Sequence, residues 1–549
     1  MSVRALLKVL GAFVAIVVVV CFVVHRAVAL SPRQGPIVAT VWRGGDVVER
    51  AVLTRDDERP EAIARALAVP GSTLVLETIV ADAPLTMAPE LLRAISLVPG
   101  VDGVEATLGD AKVYVTPDDL LRKQAYDHGV TLDALQLTFG VDLDAVDRLL
   151  ADRFHADIED ILARARFRRI RVVRRVVGEE IPTPVLDVDT ARAAVLGGAR
   201  YLARGMTDDG RFRFYVDAIN DEVLPGYDWP RHGGATWFLV QAAAATHDPD
   251  LALAARRSAA QLRDHLLACG DARCIGASEV VDLGSSALAL LAFTDLVRTH
   301  LDDGYLKEVV DLARFLEHQQ RDDGEFMHQY DRAKNKPIDV QWEYFSGEAS
   351  FALARAYRVT HDDAELSAAR RGLAHIVGPA WRFFGNRYWF GEEHWTCQAA
   401  MELWDTAPDR AALDFCMRWS EWNRALLLHG SDAQFDVDGA LGFGPLFTPR
   451  LTPVAGRAEA WMATLVTAER AGLPRAQIDP VEEQVRRALG LLLRHQLRPG
   501  PAHIFKNPNA VYGALTTSTT EFQIRVDYVQ HACCAILRWL EREQSRNAQ

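Results

Sequence analysis

The sequence predicts a mainly helical protein: a closed toroid of six helical hairpins, preceded by a small α+β domain and an N-terminal transmembrane helix. Three observations lead there. From Asp189 onward, apolar residues recur with helical period in twelve segments; one block of sequence returns 114 residues later; and residues 1–30 hold an apolar run long enough to span a bilayer.

The N-terminal run decides the compartment. Between Val9 and Val24 there is no charged residue, and Lys8 reaches the headgroups by its stem, so the stretch from about Ala5 to Val24 has the roughly 20 residues a helical span needs. Arg4 and Lys8 precede the run and His25 and Arg26 follow it, an asymmetry that favours the N-terminus inside and the body outside. The expectation is a single-pass inner (cytoplasmic) membrane protein with its body on the periplasmic or extracellular side. Ala27-Val28-Ala29 also fits a signal-peptidase site, so a retained anchor and a cleaved leader both stand; either exports the body.

Residues 36–177 read as the α+β domain. Short β-branched runs at Ile37–Trp42, Val47–Leu53, Thr73–Val80 and Lys112–Thr116 alternate with helical patterns at Glu61–Ala68 and Asp144–Arg153. The run Arg164–Arg175 is the one basic cluster: either a contact for anionic lipid or polysaccharide, or a charged edge strand or connector. Two prolines and charged residues make 178–188 a linker, and 189–549 the helical domain.

The twelve segments are 189–205, 234–246, 251–268, 284–300, 304–319, 346–361, 364–378, 393–404, 409–426, 456–471, 480–496 and 527–542. Asp208-Asp-Gly-Arg-Phe212 returns as Asp322-Asp-Gly-Glu-Phe326, Asp217 as Asp331, Gly233–Ala242 as Gly347–Ala356, and Thr246-His-Asp248 as Thr360-His-Asp362. A fainter third copy lies in Asp438–Phe443 and Ala458–Ala463. A helical repeat cannot bury its apolar face alone, so the hairpins must stack. Alternate segments such as Ser285–Ala292 and Ala235–Ala245 are apolar nearly all round, as inner helices under an outer layer would be, whereas Leu251–Leu267 keeps a charged face. That alternation favours closure into a ring over an open solenoid.

A composition of 49% hydrophobic and 25% charged residues is that of a well-packed globular protein. The net charge of -13 argues against nucleic acid as a partner, since phosphate binding needs a basic excess. Cys269 and Cys274 flank a short polar loop and could close a disulfide in an oxidising compartment, although spacing alone does not fix their geometry.

In a ring, the loops entering the inner helices converge at one end. Those six entrances are Tyr227–Gly233, Glu279–Asp282, Gln341–Glu348, Glu392–Trp395, Arg457–Glu459 and Arg525–His531, and each carries an ionisable residue. Helix dipoles and crowded like charges there would separate acid and base roles. Glu343, Glu348, Glu393, Glu459, Asp228, Asp282 and Asp527 supply carboxyls for glycoside chemistry. Trp229, Trp342, Tyr344, Trp395 and Tyr528 supply rings on which sugars stack. Glu348 and Glu459 could equally be helix caps, Arg525 and Asp527 an ion pair, and the Asp-Asp-Gly segments turns. His232, Glu393, His394 and His531 break the repeat, which favours a functional role for them.

The hairpin alternation resembles the (α/α)6 toroids of six-hairpin glycosidases, polysaccharide lyases and sugar epimerases, and the related toroids of terpenoid cyclases. Trp342-Glu-Tyr-Phe-Ser-Gly-Glu-Ala349 is similar to the Tyr-x-x-Gly-Glu/Gln-Ala helix start of the epimerase-like members. The resemblance implies an enzyme acting on a polysaccharide or glycan by hydrolysis, lyase elimination or epimerisation. Glu343, His394, Asp228, Asp527 and His531 would be catalytic, with Arg231, His232, Asp282, Tyr344, Glu348, Glu393, Trp395, Glu459, Arg525 and Tyr528 binding substrate. No cofactor is expected. A second reading is a non-catalytic glycan-binding or assembly component. A third follows from Asp527-Tyr-Val-Gln-His531-Ala-Cys533, which resembles the zinc-binding region of protein prenyltransferase β subunits, with His394 and Cys397 as further ligands.

Overall fold

Aspartates set the starts of half the ring helices. The computed structural model describes residues 30–54, 71–85, 87–132, 137–177, 183–342, 344–380, 394–430, 437–442, 448–499 and 502–547, with residues 15, 18 and 19. Among the described residues from Val188 onward there are twelve helices of ten residues or more: α1 (Val188–Arg204), α2 (Trp229–Thr246), α3 (Pro249–Asp264), α4 (Leu283–Arg298), α5 (Leu306–His318), α6 (Phe345–Thr360), α7 (Asp363–His375), α8 (His394–Leu403), α9 (Arg410–Arg424), α10 (Leu451–Arg470), α11 (Arg475–His495) and α12 (Val526–Asn547). Asp187, Asp228, Asp248, Asp282, Asp362 and Asp409 are N-caps whose carboxylates accept from first-turn amides, which otherwise have no intrahelical partner.

The even-numbered helices form the inner ring. Each packs on the next, and α12 packs on both α10 and α2, so the circle closes. The inner helix α4 is buried at every position from Leu283 to Leu296. The outer helix α3 buries one stripe, including Leu251, Ala255 and Leu262, and turns Arg256 outward. The expected starts at 234, 456 and 480 are each five residues late. The first turns of α2 and α10 contain Pro230 and Pro453, which look like breaks, and Pro480, which looks like a start, lies inside α11.

The repeat has a backbone cause. Gly210, Gly324 and Gly439 share a left-handed φ of +89°, +93° and +89°, and a Cβ at any of them would fall 2.1–2.5 Å from a carbonyl oxygen of Arg257, Arg371 or Arg487 on the outer helix. Only glycine meets both demands. The third copy is therefore a true one. In Thr246-His-Asp248 and Thr360-His-Asp362, the histidine ends one helix in the left-handed conformation and the aspartate caps the next.

In the small domain an antiparallel sheet runs in the order Asp46–Leu53, Ile37–Arg43, Thr73–Pro84, Arg166–Val176, Asp102–Leu108, Ala111–Val115. The basic run is thus mostly a central strand and not an edge. Its arginines neutralise acids of the sheet and the adjoining helix Pro117–Arg122: Arg168 with Asp82 (2.5 Å), Arg171 with Asp102 (2.5 Å) and Arg174 with Asp118 (2.6 Å). Asp118 also meets His503 at 2.7 Å, in a buried joint between the sheet region and the helical ring. Periodicity could not show this, because the partners lie far away in sequence.

The expected helix at 61–68 and the start of the linker at 178–182 lie outside the described residues. Among the described residues no helix is long and apolar enough to cross a membrane; the apolar run expected to do so lies, three positions apart, outside them. Two disulfides are formed. Cys269–Cys274 closes the hairpin between Leu266–Cys269 and Ala272–Ile275, and Cys397–Cys416 ties α8 to α9.

Candidate active site

Three inner helices bring His394, Glu459 and His531 together. His394 opens α8, Glu459 lies two turns inside α10, and His531 lies in the second turn of α12. His531 Nδ1 and Glu459 Oε2 are hydrogen-bonded at 2.6 Å, and His394 Nε2 is 4.0 Å from the same oxygen. The two imidazoles stand edge to face with centroids 5.1 Å apart. Glu459 is buried, and burial pushes its carboxyl above the usual range, an effect the His531 charge and hydrogen bond only partly offset. Glu459 is not a helix cap, because α10 begins at Leu451. Gly456 packs against His394: a Cβ there would lie 3.6 Å from its Nδ1, in van der Waals contact with the ring. Sequence reading missed Gly456, although its place three residues before Glu459, one turn away on the same helix face, is a usable signal.

A second group adjoins the first. Arg231 in the first turn of α2 binds its own N-cap, Asp228, and reaches Asp527 at 3.2 Å. Arg525 holds Asp527 from the other side at 2.6 and 2.8 Å and lies over the Tyr528 ring. Burial alone would raise Asp527, but the hydrogen bonds and charges of Arg525 and Arg231 outweigh it and hold the carboxylate below its usual range. Burial likewise opposes the charge on Arg231, which Asp527 and Asp228 more than restore; the Tyr344 hydroxyl adds to their effect.

The other expected site residues lie elsewhere. Asp282 caps α4 through the Ser285 amide (2.7 Å) and hydroxyl (2.9 Å). Glu348 is buried in the first turn of α6 against α4, where a Cβ on Gly284 would come 2.7 Å from its carboxylate. Trp395 is 2% exposed and packs on Trp237, Phe351 and both site histidines, so it is the floor of the site and not an open platform. Trp342 is on the rim, 52% exposed. Glu343 and Glu393 lie outside the described residues. The zinc set taken from the prenyltransferase resemblance is not assembled: Cys397 is bonded to Cys416, Cys533 packs toward Gly198 of α1, and Asp527 is taken by arginines. His394, Glu459 and His531 place three donor atoms within 4.8 Å of one another, and His531 Nδ1 is hydrogen-bonded to Glu459 Oε2 at 2.6 Å.

His232 also departs from its expected role. Its ring is buried between α2 and α3, with Nδ1 at the Tyr227 hydroxyl and Nε2 on the Ser258 carbonyl at 3.0 Å. It breaks the repeat for a packing reason. Burial pushes His232 down to about 4, and does the same to His328 on the loop before α6. Both are neutral in the folded state, while the unfolded chain takes up protons below about pH 6.5. Stability is therefore full above that pH and is lost as pH falls toward 4, by at most about 1.4 kcal/mol per pH unit for each group. Urea unfolding at pH 7 and pH 5 is expected to show this loss, and His232→Gln to flatten it; equal stability at both pH values would contradict the assignment.

No family model matches the chain, and no curated protein matches it in sequence. Solved structures do match. A cellobiose 2-epimerase from Bacillus thermoamylovorans superposes with a TM-score of 0.52 at 11% identity, covering 65% of this chain and 99% of that one. A D-mannose isomerase superposes with a TM-score of 0.50 at 11% identity, covering 64% and 97%. The helical part of this chain therefore has the (α/α)6 toroid fold of six-hairpin, glycosidase-like enzymes.

Proposed function

We propose that the protein is a sugar epimerase or isomerase that moves a proton at the carbon beside the carbonyl of a reducing sugar or glycan. The observation that carries this reading is the pair of imidazoles, 5.1 Å apart, around Glu459. In an open-chain sugar the C1 carbonyl acidifies the hydrogen on C2. One imidazole takes that hydrogen as a proton, and the electron pair of the broken C–H bond is shared between C2 and the C1 oxygen as an enediolate. Return of a proton to the opposite face of C2 from the other imidazole gives the epimer; protonation at C1 with loss of the O2 proton gives the ketose.

Glu459 accepts the Nδ1–H of His531, which puts the basic lone pair on Nε2 and favours the imidazolium that forms. Arg231, held by Asp228 and Asp527, brings a fixed positive charge toward substrate oxygens. Paired-carboxylate hydrolysis is less well served. Among the described residues Asp228 and Asp282 cap helices, Asp527 is held by two arginines, and Glu459 binds His531. The fold shared with a cellobiose 2-epimerase and a D-mannose isomerase supports sugars as the substrate class.

The test is incubation with mannose, glucose and cellobiose in D2O, read by proton NMR. Deuterium at C2 with appearance of epimer or ketose is expected, at a rate unchanged by EDTA. Release of monosaccharide without C2 exchange would point to a hydrolase, and binding without either to a receptor. We also place the body in an oxidising, extracytoplasmic compartment, a reading supported by the two disulfides and the apolar N-terminal run. Ready labelling of Cys397 or Cys416 by a thiol reagent in protein from intact cells would count against it.

A further inference from the structure

The ring has a cavity at the end away from the histidines. It encloses about 730 Å³ between the C-terminal halves of five inner helices. Six arginines and four carboxylates line it. Most of the guanidiniums are already matched. Arg355 is held by Asp295 (2.9 Å) and Glu402 (2.6 Å), and Arg542 by Glu469 and Glu482 (2.5 and 2.8 Å).

Arg538 differs. Among the described residues no carboxylate lies within 4 Å of it, its Nε is buried without a hydrogen-bond partner, and its Nη1 meets only the Met401 sulfur, at 3.4 Å. A thioether is a weak acceptor. A guanidinium held in a walled cavity with an unmatched buried N–H lacks the planar acceptor its fork fits.

We propose that this rear cavity binds a small oxyanion, of the phosphate type, on Arg538, with neighbouring arginines of the wall supplying further donors. Phosphate suits the site because its tetrahedral oxygens can accept from several guanidiniums at once, and because an arginine fork pairs with two of those oxygens together. Chloride cannot do this. The binding does not depend on the reaction proposed above. It does have a route to the front of the ring: Arg538 lies two turns beyond His531 on the same face of α12, and its charge acts on Glu459. An anion on Arg538 would weaken that influence, so the ligand would act as an effector of the His531–Glu459 pair.

The experiment is calorimetric titration of the full chain with inorganic phosphate, against sodium chloride at matched ionic strength. Saturable phosphate binding is expected. Arg538→Gln is expected to weaken it by about tenfold or more, the effect of losing charge-assisted hydrogen bonds. Arg122→Gln, in a separate cavity beside the small domain, is expected to leave it unchanged. If Arg538→Gln does not fold, as judged by circular dichroism, Arg538→Lys serves instead: it keeps the charge, loses the fork, and is expected to weaken binding several-fold. Phosphate binding no better than chloride, or binding untouched by the folded Arg538 variant, overturns the proposal.

Discussion

Replacing His531 by asparagine is expected to lower kcat/KM for C2 proton exchange by about 10²–10⁴-fold, the usual contribution of a positioned acid or base. Asparagine keeps a polar group in α12 but cannot carry the proton. Glu459 would lose its hydrogen-bond partner while remaining buried, so part of the effect is structural, and circular dichroism and Tm must be read beside the rate. Glu459→Gln separates the two. Its amide oxygen can still accept from Nδ1–H, so His531 stays oriented, but the charge that stabilises the imidazolium is gone. A smaller loss than in His531→Asn is expected, with kcat affected more than KM. Turnover in folded His531→Asn within twofold of the wild type would sink the acid–base assignment.

The largest stability effect is expected away from the site, at Asp295 on α4. Its carboxylate is fully buried and accepts from Arg355 Nε (2.9 Å), Arg298 Nε (2.8 Å), Trp237 Nε1 (2.8 Å) and Gln241 Nε2 (3.2 Å). Burial alone would raise its pKa, but the charges of Arg355 and Arg298 prevail and hold it well below the usual range. Asp295→Asn would leave the Arg355 guanidinium buried and short of one counter-charge, and breaking such a pair costs about 3–5 kcal/mol. Urea unfolding at pH 7 measures it. The double variant Asp295→Asn with Arg355→Met removes both charges and is expected to recover part of the loss. A single-variant loss below about 1 kcal/mol would mean that the charges are better solvated than the packing implies.

Much of the ring was legible in the sequence because its causes are local. Amphipathic period, aspartate caps and glycine turns each act within a few residues, and the threefold use of one unit multiplied the signal. The starts expected too late for α2 and α10 mark the limit, since Pro230 and Pro453 in their first turns read locally as breaks. The small domain was less legible. Its central strand Arg166–Val176 looks like a charged surface, because the acids that neutralise it lie on other strands and on the helix Pro117–Arg122.

For the site, the sequence by itself determined that ionisable residues gather at the inner-helix entrances, and that His394 and His531 stand out from the repeat. Only the tertiary structure decided which of those residues face one another. It set Glu459 between the histidines, turned Asp228 and Asp282 into caps, walled His232 into the packing, and used Trp395 as a floor. It also left Arg538 with no described carboxylate within 4 Å while keeping it in line with His531. The physical reason is that a residue's chemistry is local, whereas its partner, its burial and therefore its protonation depend on helices that meet only when the ring closes.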